Sequence, residues 1–158
     1  MESISVLRGG ASSSSSASSS SSRASFAALL GESLWALARE CPAAYHQTVR
    51  RLQGAAILVD VGGERVVVHG TPDGHELRPP VAGEPPPTAS LTAAPSVLLG
   101  LLDGELTVLD CLLSERLHLV GSVHELLVLH EALDWYLRGA VRTSAFPDLL
   151  RRFRRWAR

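Results

Sequence analysis

Apolar positions along the chain recur at two spacings, and the change from one to the other marks out the elements. Phe26, Leu29, Leu30, Leu34 and Leu37 stand three and four apart, which predicts a helix capped by Ser25. Cys41-Pro42 interrupts that run, and Pro42 suits the first turn of a second helix. This one carries Tyr45, Val49 and Leu52 on one face and ends near Gln53-Gly54. The period then falls to two. Residues 56–61 and 65–69 read as strands about a Gly62-Gly63 hairpin turn, and Thr71-Pro72-Asp73-Gly74 leads into a third strand at 75–78. A Pro-rich loop over 79–87 follows, and residues 88–92 alternate as a fourth strand with Leu91 inward.

The stretch from 88 to 139 organises the rest. Pro95-Ser96 opens a helix with Val97, Leu98, Leu101 and Leu102, apolar nearly all round, and Asp103-Gly104 turns the chain. Thr107 caps a short helix that carries Leu109, Leu112 and Leu113. Residues 116–120 alternate as a fifth strand, with Leu117 and Leu119 on one face. The run Ser122-Val-His-Glu125 is a capping box, and its helix bears Leu126, Leu129 and Leu133 before stopping at Gly139. This order predicts an α+β fold: a five-stranded antiparallel sheet covered on one face by helices.

Three segments follow. Residues 1–24 are a Ser-rich tail with nothing to bury, expected to be disordered. Residues 25–139 form the domain. Residues 140–158 are a basic amphipathic helix: Leu149, Leu150, Phe153 and Trp156 share one face, surrounded by Arg151, Arg152, Arg154, Arg155 and Arg158. Such a helix either docks its apolar face on the domain, meets a partner, or lies on an anionic membrane surface.

Composition narrows the chemistry. Hydrophobic residues make up 46% of the 158 and aromatics only 5%, so the interior is aliphatic. The net charge of -1 argues against nucleic acid, which needs a concentrated positive field. Charge is uneven: residues 138–158 hold seven Arg against Asp148, a balance of +6, and the remainder sums to -7. All fifteen basic residues are Arg, in keeping with GC-rich, bacterial coding. Cys41 and Cys111 lack CxxC spacing and read as buried free thiols. Of six scattered His, only His124 and His130 share a helix, and their spacing puts them on opposite faces. Asp60, Glu64 and Asp73 read as solvated turn carboxylates, and no nucleophile–base arrangement is present. The pattern calls for no catalysis, metal or cofactor. No apolar run has the ~18–20 residues of a membrane helix, and no secretory apolar stretch is found, so a cytoplasmic protein is expected.

Three motifs bring a family into view: the strand end Leu91-Thr92, the turn Leu101-Leu-Asp-Gly-Glu-Leu106, and the strand Leu117-His-Leu-Val-Gly121 before a helix. In these the chain resembles the sterol carrier protein family, in its stand-alone bacterial form, over residues 25–139. The resemblance implies an antiparallel sheet and helices enclosing an apolar tunnel for a sterol, fatty acid or acyl-CoA-like lipid. Two positions depart from the pattern: Ser122 replaces a usual Asp, and Glu115 stands where Gly is common. The chain ends Trp156-Ala-Arg158 and not Ser-Lys-Leu, against a peroxisomal address. Under the resemblance, Leu98, Leu101, Leu102, Leu109, Leu112, Leu113, Leu126, Leu129 and Leu133 line the ligand space. Trp135 and Tyr136 lie beside that stripe, packed or at its mouth. The expected function is non-catalytic binding, transfer or presentation of an apolar lipid. The other reading is a closed-core interaction module of the same fold without a ligand.

Overall fold

In the computed structural model, which describes residues 25–158, each element starts at a residue suited to start it. The Ser-rich segment 1–24 lies outside the described residues. Ser25 accepts the Ala28 N–H at 3.1 Å and opens α1 (Phe26–Glu40), and Pro42 opens α2 (Pro42–Leu52). Strands β1 (Ala56–Val61) and β2 (Glu64–Thr71) meet at Gly62 and Gly63, whose φ values of 62° and 89° belong to the hairpin turns that need glycine. After β3 (Gly74–Arg78) and β4 (Ala89–Ala93) come two short helices, α3 (Pro95–Leu102) and α4 (Val108–Leu113). Strand β5 (Leu117–Gly121) then leads into α5 (Val123–Ala140) and α6 (Phe146–Trp156). The capping box closes α5 from both sides: the Ser122 N–H donates to Glu125 at 2.8 Å, and the Glu125 N–H donates to the Ser122 hydroxyl at 3.3 Å.

The sheet is mixed, which corrects the expectation of an antiparallel one. Its order is β3-β2-β1-β4-β5, and β4 runs parallel to β1 from Ile57↔Ala89 to Val61↔Ala93. A hairpin after β3 would have placed β4 beside β3. Instead the ten-residue stretch 79–88 crosses back as an exposed loop, serving as the crossover a parallel pair requires. Thr88 fixes where it lands. Its N–H donates to the Ala56 carbonyl at 2.8 Å, and its hydroxyl accepts from the Ala56 N–H at 3.2 Å. One residue later β4 begins, already beside β1.

The helices cover one face of this sheet. Ile57, Val68, Leu91 and Leu117 meet Leu52, Leu101, Cys111, Leu129 and Ala132 in the larger core cluster. Phe26, Leu29, Val61, Val66 and Phe153 form a second. The buried side of α4 is Val108 and Cys111, so the helix is rotated away from the expected Leu face. Cys111 is buried and Cys41 half-buried, both as free thiols.

Helix α4 ends in a Schellman motif: the Arg116 N–H reaches the Cys111 carbonyl at 2.9 Å and the Glu115 N–H reaches Leu112 at 3.1 Å. That motif places Glu115 in the left-handed region at φ 57°, the one non-glycine residue with positive φ among those described. The sequence departure noted at this position is therefore a point of backbone strain. Glu115→Gly is expected to gain about 1 kcal/mol and to raise the melting temperature by roughly 2–4 °C in a circular-dichroism melt. A fall would mean the Glu side chain contributes more than the strain costs.

Candidate functional site

Between the covered sheet face and helices α1, α2, α3, α5 and α6 lies a cavity of about 140 Å³. Its walls are aliphatic and aromatic, and no charged side chain borders it. Four hydroxyls do: Ser33, Thr48, Tyr136 and Thr143. Thr48 and Thr143 donate to the carbonyls of Ala44 and Ala140 on their own chain segments, each at 2.9 Å. Ser33 donates to the Leu30 carbonyl at 2.7 Å, which leaves the Tyr136 phenol to donate to the Ser33 oxygen, also at 2.7 Å. Burial pushes the Tyr136 phenol up from its ordinary value, so it stays protonated at neutral pH. What this pair offers to the cavity is acceptor lone pairs. A donor hydroxyl can meet them, whereas an ionised group there would be desolvated with no opposite charge.

Helix α6 supplies one wall through Phe146, Leu149, Leu150 and Phe153. Its apolar face is seated inward, with Leu150 and Phe153 buried. Its Arg residues reach sideways: Arg152 forms a bidentate ion pair with Glu32 of α1, and Arg154 meets Asp103 at 2.6 Å. At its far end the Trp156 indole donates to Glu64 at 2.7 Å, and the other Glu64 oxygen accepts the Phe26 N–H at 2.6 Å. Glu64 is thus a structural clasp and not the solvated turn carboxylate the sequence suggested.

The structure scatters the nine expected lining residues. Leu98, Leu102, Leu129 and Leu133 border the cavity, and Leu101 lies in the core beside it. Leu112 and Leu126 border a second, open groove along β5, with Val120, Val123 and Leu127 on its rim. Leu109 and Leu113 face outward, 61% and 77% exposed, because α4 turns Val108 and Cys111 inward. Of the tail residues, Leu149, Leu150 and Phe153 border the cavity, Trp156 packs against Phe26 and Phe153, and Arg151 and Arg155 stay exposed.

Sequence reasoning did not find Ser33 and Glu32. Both stand on α1 at polar positions of an amphipathic helix, and nothing local distinguishes a polar residue that finds a partner from one that meets water. Tyr136 was placed at a packed or wet position, and its bond to Ser33 spans 103 residues of sequence. Among the described residues no three His, Cys, Asp or Glu side chains gather as a metal site, and no helix is long and apolar enough to cross a membrane.

This layout can be set beside solved structures. The SCP2 domain of UbiJ, a ubiquinone synthesis protein, superposes with a TM-score of 0.54 at 19% identity, over 70% of this chain and 87% of that one. The chain has the sterol carrier protein fold. Sterol carrier protein domain 2 of Helicoverpa armigera gives 0.49 at 12% identity, over 73% and 91% of the two chains. A crystal structure of sterol carrier protein 2 gives 0.48 at 18%, over 72% and 96%. No protein-family model matches the sequence, and no curated protein does.

The pH dependence of stability follows from groups around the site. The Arg152 hydrogen bond holds Glu32 below its ordinary value of 4.5, and the Ser144 and Ser122 N–H groups do the same for Glu40 and Glu125. Carboxyls depressed in the fold stabilise it above their unfolded value and lose that contribution as pH falls through the folded one. Burial lowers His75 from 6.5, so its contribution also fades as pH falls. Melting temperature is expected to decline gently below about pH 6.5 and more steeply below about pH 4.5. Glu32→Gln flattens part of the steep arm; an unchanged arm would place the acid sensitivity elsewhere.

Proposed function

We propose that this chain binds a neutral, lipid-like ligand with a hydroxyl end and performs no chemistry on it. The observation that carries the reading is the lining of the cavity: uncharged, and aliphatic and aromatic apart from four hydroxyls. Each hydroxyl proton is donated within the protein, so only acceptor lone pairs are left for a ligand, those of the Ser33–Tyr136 pair among them. Association would be driven by burying aliphatic surface, at roughly 25 cal/mol per Å² before ordering costs. A sterol or long-chain alcohol suits these acceptors. An ionised fatty acid suits them poorly, and an acyl-CoA would have to keep its charged portion outside.

Leu98, Leu102, Leu129 and Leu133 are the ligand contacts in this reading, with Ser33 and Tyr136 for the hydroxyl. The exposed arginines of α6 would bring the protein to anionic membrane surfaces, where such a ligand resides, and a cytoplasmic location goes with that role. A second reading, presentation of the lipid to an enzyme, is favoured by the similar fold in a ubiquinone synthesis protein. The closed-core module without a ligand is the outcome that negative binding would select.

Mass spectrometry of an organic extract from purified protein, against a mock purification, is expected to show a stoichiometric neutral lipid. Titration with a fluorescent sterol and a fluorescent fatty acid at pH 7.5 is expected to favour the sterol. Tyr136→Phe should weaken sterol binding about twofold to tenfold, the effect of one lost hydrogen bond, and leave the fatty acid unchanged. A clean extract and no saturable binding of either probe would overturn the reading.

A further inference from the structure

The cavity of about 140 Å³ is small for the ligand the lining suits. It matches the roughly 150 Å³ space that takes up a single benzene, and drug-sized ligands occupy about 300–1,000 Å³. A sterol-sized lipid therefore fits only if the space widens, and the walls differ in how they are held. The sheet is tied by ladders of backbone hydrogen bonds, and α1, α2 and α5 pack on one another as well as on it. Helix α6 packs against α1 and α3 and is otherwise attached by side chains at its rim. The fastenings are Arg152 to Glu32, Arg154 to Asp103 and Trp156 to Glu64. The first two are partly exposed ion pairs, weak and screened by salt, and the third is a part-buried hydrogen bond from a neutral indole. Its remaining hold is the apolar face of Phe146, Leu149, Leu150 and Phe153, the same kind of surface a lipid offers in exchange.

We propose that α6 is a displaceable plug whose apolar side chains hold the space the ligand takes, released when an anionic bilayer draws Arg152 and Arg154 away from Glu32 and Asp103. The inference rests on the lipid-binding reading and adds its regulation. Within Phe146–Trp156 four arginines face one acid, Asp148; Arg151 pairs with it at 3.0 Å along the helix, and both Arg151 and Arg155 are exposed to solvent. These two make the first contact with lipid phosphates, and the two fastened arginines then have a competing anionic partner. The displaced helix keeps its apolar face covered by lying in the headgroup layer.

The test uses the full chain and the double substitution Glu32→Gln with Asp103→Asn, neither of which borders the cavity. The probe is a fluorescent sterol, with vesicles of phosphatidylcholine alone or mixed with phosphatidylglycerol. Loosening two fastenings raises the fraction of open protein, so the double variant is expected to bind the sterol about three- to tenfold more tightly. Amide exchange over residues 146–156 is expected to quicken in the same variant. Phosphatidylglycerol vesicles should accelerate sterol release from the unmodified protein, phosphatidylcholine vesicles should not, and added salt should remove the difference. Glu32→Arg combined with Arg152→Glu is expected to restore the fastening and the slow release on neutral vesicles. Unchanged affinity and unchanged exchange in the double variant, with the unmodified protein still binding sterol, would overturn the plug and leave the lipid reading standing. Failure of every variant to bind sterol, Phe153→Ala included, would overturn both.

Discussion

One carboxylate holds the two ends of the described chain to the sheet. Glu64, the first residue of β2, accepts the leading N–H of α1 at 2.6 Å and the indole N–H of Trp156 at 2.7 Å. A negative charge at a helix start is favoured by the helix dipole, so the first of these bonds also stabilises α1. Around it Phe26, Phe153 and Trp156 stack with ring centres 5.1–6.3 Å apart. The helix layer is thereby set at a fixed height on the sheet. With α1 and α6 pinned at this corner, the space between them and the sheet is bounded on that side.

The distribution of charge gives that space its character. Arginine is the only basic side chain in the protein apart from histidine, and none borders the cavity. The paired charges lie at partly or well exposed positions, where they fasten elements without entering the interior. The four hydroxyls that do face inward are bonded within the protein, so the unliganded cavity carries no unsatisfied donor that would demand water. A space of this kind is largely apolar, with acceptor oxygens as its polar points. The fold alone would not specify such chemistry; the side chains on it do.

Much of this architecture was legible in local pattern. Ser25, Thr107 and Ser122 cap helices where the sequence put them, and Gly62-Gly63 turns the hairpin. Those features depend on neighbours a few residues apart. The parallel seam was not legible, because a Pro-rich loop says only that the chain leaves the sheet; the Thr88–Ala56 clasp decides where it returns. The rotation of α4 was hidden for a different reason. Val108, Leu109, Cys111, Leu112 and Leu113 are all apolar, so periodicity offers several faces, and packing against β5 selects Val108 and Cys111. Cavity size depends on how well side chains fill a volume, which no one-dimensional pattern records.

Helix α6 is made after every other element that borders the cavity. As the chain leaves the ribosome, the sheet and helices α1 to α5 can assemble while their apolar trough still lacks its last wall. During that interval the trough faces whatever is nearby: water, a chaperone or a hydrophobic small molecule. A molecule already lodged there when α6 arrives competes with Leu150 and Phe153 for the same seat. On the lipid-binding proposal, occupancy would be decided once, at birth, as well as by later exchange.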